Sequence, residues 1–185
     1  LLVRPDKQSI EYRALERACE RLHKAQDRLL VELGAFESPR GLHFGRFAAE
    51  FFPRGVDFPS LPEPTMAADD LPIGEVEAFS VDDSSTTEID DALSVQGLGT
   101  GTVTVGVHIA APGLAVQPGA PLDQIARQRL STVYMPGHKI TMLPDDVVQA
   151  YTLQEGRACP ALSLYVTFDE ASLAPSASET RLEQV

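Results

Sequence analysis

Thr102-Val103-Thr104-Val105-Gly106-Val107-His108-Ile109-Ala110 alternates apolar and small or polar residues through nine positions. A period of two with β-branched residues puts one side-chain set on each face of a strand. The reading on either side of this strand is mixed. Short strand candidates lie at residues 77–81 and 92–95, and a longer one at 161–168. Between them, residues 121–130 place Leu122, Ile125, Ala126 and Leu130 on one side of a helix. Residues 169–178 read as a turn-rich loop, and 180–185 as the start of a returning strand. The second half of the chain is therefore α+β.

Upstream the period changes. Leu15, Cys19, Leu22, Leu29 and Leu33, with Ala18 and Ala25, form a single apolar stripe, which predicts one amphipathic helix over residues 9–33. Gly34 stands where a left-handed residue would end it. Ser38-Pro39 reads as N-cap and first residue of a second helix that carries Phe44, Phe47, Ala48 and Phe51 and stops before Pro53. A membrane or partner surface is one reading of these rings with Phe52, and packing against the first helix is the expected one. Pro53, Pro59, Pro62, Pro64 and Pro72, with Asp69-Asp70, then describe an extended connector. The expected organisation is a helical N-terminal domain over residues 1–60, a connector over 61–74 and an α+β domain over 75–185.

Charge is divided along the same line. The net charge of −12 is made of ten Lys/Arg against nine Asp/Glu in residues 1–60, and five against eighteen beyond them. A nucleic-acid surface normally needs cations to neutralise phosphates. The second half therefore either binds no nucleic acid, or uses its acids for metal while a basic groove lies elsewhere. No apolar run approaches the roughly 20 residues needed to span a bilayer, and no signal peptide opens the chain. Its two cysteines, Cys19 and Cys159, are far apart, so a disulfide framework is not expected and a reducing cytoplasm fits better. The first residue is Leu1, and the chain is expected to begin inside a longer product or after disordered residues.

The chemistry concentrates in Val81-Asp82-Asp83-Ser84-Ser85-Thr86-Thr87-Glu88-Ile89-Asp90-Asp91-Ala92, five carboxylates within ten positions. Like charges this close repel unless a cation or solvent compensates. Hard oxygen donors suit Mg²⁺, which keeps several waters and takes one or two carboxylates plus substrate phosphate oxygens. Such a site supports metal-assisted phosphodiester hydrolysis. A solvated acidic turn accounts for the same residues, since Asp, Ser and Thr are common in turns. An EF-hand loop fits less well, because Thr87 occupies the sixth position where that pattern needs glycine. His108, mid-strand, reads as a satisfied sheet histidine. His138, Lys139 and Arg157 fit phosphate contact no better than they fit a solvated loop.

The motif VDDSSTTEIDDALSV resembles the active-site motif of the ribonuclease II / ribonuclease R (RNB) family of exoribonucleases. The resemblance continues in order through VGVHIAAPG, PLDQIARQRLSTVYMPGHKITMLP and LQEGRACPALSLYVTFD. The pieces LGAFESPRGLHFGRFAAEFFPRG and LPIGEVEAFSVDD are similar to the ribonuclease II-like branch found in cyanobacteria and plastids. It implies that residues 75–185 are the incomplete first part of an RNB-type mixed α/β catalytic domain, behind a helical, winged-helix-like front end. It also implies a Mg²⁺-dependent hydrolase that works from the 3′ end of single-stranded RNA and releases nucleoside 5′-monophosphates. By position, Asp82, Glu88 and Asp91 would hold metal, Asp90 would hold metal or the attacking water, and Tyr134 would contact RNA. Asp83 is peripheral. Glu88 stands where most members have aspartate, and Ala111 where many have aspartate, which keeps a non-catalytic RNA-binding or regulatory relative as the alternative. The remainder of such a catalytic domain, with a catalytic arginine, further base-stacking aromatics and an S1 RNA-binding domain, is the expected partner in the same polypeptide.

Overall fold

The computed structural model describes residues 5–61, 70–83 and 86–185. Part of the proline-rich connector, residues 62–69, and Ser84-Ser85 of the acidic motif lie outside the described residues. The chain falls into two compact units, residues 1–59 with 132–140, and residues 60–131 with 141–185.

In the first unit the stripe over residues 9–33 is broken into two helices, α1 (Ile10–Leu22) and α2 (Gln26–Glu32). His23 takes a left-handed conformation (φ 52°), and Lys24 N–H reaches back to the Cys19 carbonyl at 3.0 Å. That pair of features closes a helix as a glycine would. The apolar spacing survives the break, which is why periodicity alone did not find it. Ser9 caps α1 by accepting from Tyr12 N–H. The end of α2 is as expected. Gly34 (φ 71°) donates to Val31 O and Ala35 N–H to Leu30 O, the paired bonds of a Schellman cap. Helix α3 (Pro39–Phe51) also starts as read, with Ser38 Oγ accepting from Gly41 N–H at 3.1 Å. Tyr12, Leu29, Leu30 and Leu42 are buried. The phenylalanines divide: Phe47 packs on Phe51 and Phe52, while Phe44 stacks on His138 with centroids 4.1 Å apart. His138 belongs to a hairpin, β3 (Val133–Met135) and β4 (His138–Ile140), which falls within this helical unit although the sequence places it with the second half.

The second unit is built on a four-stranded antiparallel sheet in the order β1 (Asp91–Gln96), β2 (Thr102–Ala110), β5 (Pro160–Asp169), β6 (Pro175–Gln184). The strand expected at residues 77–81 is absent. Only Phe79 pairs there, exchanging two 2.8 Å hydrogen bonds with Leu93. The loop expected at 169–178 is also shorter than read: Pro175 already begins β6, which runs antiparallel to β5 through Gln184. Its polar composition, Ser-Ala-Ser-Glu-Thr-Arg, hid a strand that backbone pairing supports. Beside the sheet, a 3₁₀ turn (Pro112–Ala115), α4 (Pro121–Arg129) and α5 (Asp145–Ala150) form a small core from Ala115, Leu143, Val147 and Tyr151.

The two faces of the sheet differ in an unexpected sense. Ser94, His108, Ser163, Tyr165 and Glu183 alternate onto the buried face. His108 Nδ1 lies 2.8 Å from Ser163 Oγ and Nε2 lies 2.9 Å from Ser94 Oγ. Tyr165 donates to Glu183 Oε1 at 2.5 Å. A buried polar group is tolerated only when partnered, and these are. The opposite face carries Val95, Ile109, Leu162, Leu164 and Leu182, all exposed.

Candidate active site

The acidic motif enters the sheet at its C-terminal end. Asp91 opens β1 opposite Ile109, which places it on the exposed apolar face by register. Asp82, Asp83, Asp90 and Asp91 are exposed, and Glu88 is half-buried. Asp83 O accepts from Thr86 N–H at 2.8 Å.

Three consecutive peptides of this turn are fixed from outside. Ile89 N–H donates to Thr152 Oγ1 at 3.1 Å, holding the peptide between Glu88 and Ile89. Leu153 N–H donates to Ile89 O at 2.9 Å, holding the next one. Ala110 N–H donates to Asp90 O at 2.9 Å, holding the third. The backbone beneath Glu88, Asp90 and Asp91 is thereby tied to β2 and to the segment after α5. Thr152 is buried, and nothing in the sequence singled it out. The only signal was a hydroxyl placed between Tyr151 and Leu153. Arg157, read as a phosphate contact or loop residue, instead donates to Gln149 O (2.6 Å) and Thr152 O (3.0 Å), closing the end of α5. A cleft of about 480 Å³ adjoins the turn, lined among others by Phe79, Ile89, Leu153, Glu155 and Arg157.

Among the described residues, no three of His, Cys, Asp and Glu lie together as a ready-made metal cage. The donors still fit Mg²⁺ in type, and an ion that keeps its waters and takes phosphate oxygens needs only one or two carboxylates. His108 takes no part in such a set. Burial holds its imidazole below the usual histidine range, against the opposing field of Glu183. Burial also pushes the Tyr165 hydroxyl up to about 12, with the Glu183 hydrogen bond and charge adding to it.

Tyr134 lies in the first unit, on the β3–β4 hairpin, and is 70% exposed. Lys139, its cross-strand partner, sits 5.7 Å from the ring centroid. The hairpin turn depends on Gly137 (φ 75°), where an added Cβ would lie 2.5 Å from the Arg40 guanidinium. Arg40 donates to Pro136 O at 3.2 Å.

Residues 72–178 match the RNB domain family. A ribonuclease of uncharacterised role from Synechocystis is 34% identical over 149 residues, 77% of this chain and 22% of that protein. Exoribonuclease 2 of Serratia proteamaculans is 38% identical over 109 residues, 58% of this chain and 17% of that protein. Among solved structures, an active-site mutant of the Dss1 exoribonuclease from Candida glabrata matches with TM-score 0.71 at 18% identity, covering 86% of this chain and 24% of that one. Yeast Ssd1, a pseudonuclease, matches with TM-score 0.61 at 23% identity over 69% of this chain and 16% of its own. The chain thus spans less than a quarter of each of these proteins, and the two structures are alike in fold.

Proposed function

The chain belongs to the RNB family, and on that footing we propose that it is a segment of a Mg²⁺-dependent hydrolytic exoribonuclease that degrades single-stranded RNA from its 3′ end. The observation that carries the reading is the acidic turn, in which three externally fixed peptides hold the backbone beneath half-buried Glu88 and exposed Asp90 and Asp91. Fixed backbone lowers the cost of holding like charges near a reacting phosphate. Asp82, Glu88 and Asp91 are the proposed metal donors, and Asp90 orients the ion or the attacking water. When bound, Mg²⁺ supplies Lewis-acid activation of the phosphate and of that water. Attack breaks the bond from phosphorus to the 3′-oxygen of the preceding nucleotide and releases a nucleoside 5′-monophosphate. Tyr134 stacks on a base near the 3′ end, which needs only a ring face and reads no sequence.

The acidic second half is no groove for a polyanion by itself. The remainder of the longer polypeptide, with an S1 domain, is proposed to supply the cationic path for RNA. Among the described residues no helix is long and apolar enough to cross a membrane, and both cysteines are free. A cytoplasmic site of action agrees with the free thiols.

Asp90→Asn in the complete protein is expected to abolish hydrolysis and leave RNA binding largely intact. A degradation assay and a gel shift on one preparation check it. Loss of both together would make Asp90 structural. A non-catalytic RNA-binding relative is the second reading, favoured by Glu88 and Ala111, which stand where the resemblance leads one to expect aspartate. It predicts that the unaltered protein binds RNA and never shortens it.

A further inference from the structure

We propose that Thr152 is a positioning residue for the acidic turn, holding Glu88 and Asp90 in register through its hydroxyl; this rests on the exoribonuclease reading above. Of the three bonds that fix the turn, those from Leu153 and Ala110 come from backbone N–H groups, which any residue but proline would supply. The bond at Ile89 N–H comes from the Thr152 side chain. It is therefore the anchor that a substitution can remove. Its place matters as much as its chemistry. The Glu88–Ile89 peptide joins one proposed donor to the residue before the other pair, so a rotation there moves Glu88 against Asp90 and Asp91.

The anchor is itself held. Thr152 is 3% exposed, so water does not readily replace its oxygen as acceptor. Its carbonyl accepts from Arg157, whose guanidinium also caps the Gln149 carbonyl. Arg157 thus ties Gln149 to Thr152, and the Thr152 hydroxyl is the point at which this segment grips the turn. Residues that orient metal-binding groups from behind typically account for 10–100-fold in metal affinity or activity.

The experiment uses the complete protein in four forms: unaltered, Thr152→Val, Thr152→Ser and Asp90→Asn. Valine keeps the branched shape and loses the acceptor, while serine keeps the acceptor and loses a methyl group. Thr152→Val is expected to lower Mn²⁺ affinity and the rate of RNA hydrolysis by about ten-fold or more. It is also expected to speed hydrogen exchange at the Ile89 amide and to leave RNA affinity in place. Thr152→Ser recovers most of the metal affinity, the rate and the amide protection. Serine as impaired as valine would overturn the proposal, since packing of the methyl group would then be the cause. Valine with unchanged metal affinity and rate would overturn it as well. The Asp90→Asn arm separates the two levels. If it abolishes hydrolysis while Thr152→Val does not slow it, only the positioning role falls. If Asp90→Asn leaves hydrolysis and metal affinity unchanged, the active-site reading falls.

Discussion

His108 has hydrogen-bonding groups on both ring nitrogens and no access to solvent. A neutral imidazole offers one donor and one acceptor, and two serine hydroxyls satisfy it in either tautomer. Protonation would place a cation between Ser94, Ser163 and the Tyr165 ring, with the Glu183 carboxylate as the one opposing charge behind it. Because the folded pKa lies below the ordinary value, the unfolded chain binds more protons between the two values. Stability from this group is therefore complete above about pH 6.5 and lost as the pH falls below it. Urea midpoints measured from about pH 8 down to about pH 5 should fall more steeply for the unaltered chain than for His108→Gln. Parallel curves would remove His108 from the acid response. Tyr134 is a residue of the opposite kind, exposed and unconstrained by burial. Stacking one base on a ring contributes on the order of 1–3 kcal/mol, a large share of the grip once few nucleotides remain. Tyr134→Ala in the complete protein should lengthen the final products while changing the early rate less. Unchanged product length on a sequencing gel would return Tyr134 to packing beside the Pro136-Gly137 turn.

The elements are set by their ends as much as by their stripes. α3 begins at Ser38 because its hydroxyl satisfies an otherwise orphaned N–H of the first turn, and Pro39 needs none. Replacing such a cap by alanine typically costs about 1 kcal/mol, while aspartate keeps the acceptor. Ser38→Ala should lower the urea midpoint, and Ser38→Asp should restore most of it. Equal midpoints for all three would show that the packing of α3 alone decides where it starts. β6 follows a different rule. Its residues from Ser176 to Arg181 are exposed, and the strand persists because β5 pairs with it along its length, broken by one register shift at Thr167–Phe168.

At the scale of the molecule, the apolar side of the sheet is the feature to account for. Ile109, Leu162 and Leu182 stand in one register row across three strands, with Asp91 at its end. Leu162 is 50% exposed, and Val95 and Leu164 extend the patch. Contiguous exposed apolar surface of this kind binds dyes and promotes association. The 185-residue chain should therefore enhance the fluorescence of anilinonaphthalene sulfonate, and Leu162→Lys should reduce that signal without loss of β-sheet by circular dichroism. No enhancement in the unaltered chain would mean that the face is covered in solution.

The class of the fold, the strand Thr102–Ala110, the caps at Ser38 and Gly34, and the family follow from the residues alone, because each depends on local periodicity, local hydrogen bonding or residue order. The sequence also marked His108 as a satisfied histidine of the sheet, and the fold buries it between two serines. It did not determine the break at His23, since an αL residue leaves the apolar spacing intact. It found only the second half of β6, because the polar stretch from Pro175 to Glu179 has no hydrophobic signature and pairs only where a neighbour supplies the ladder. The site divides in the same way. The five acids from Asp82 to Asp91 were legible as a dense run, and the choice of Asp82, Glu88, Asp90 and Asp91 among them as candidates rests on the family resemblance. The anchor at Thr152 was not, since it acts across 63 positions, and a hydroxyl becomes a partner only when folding brings an N–H to it.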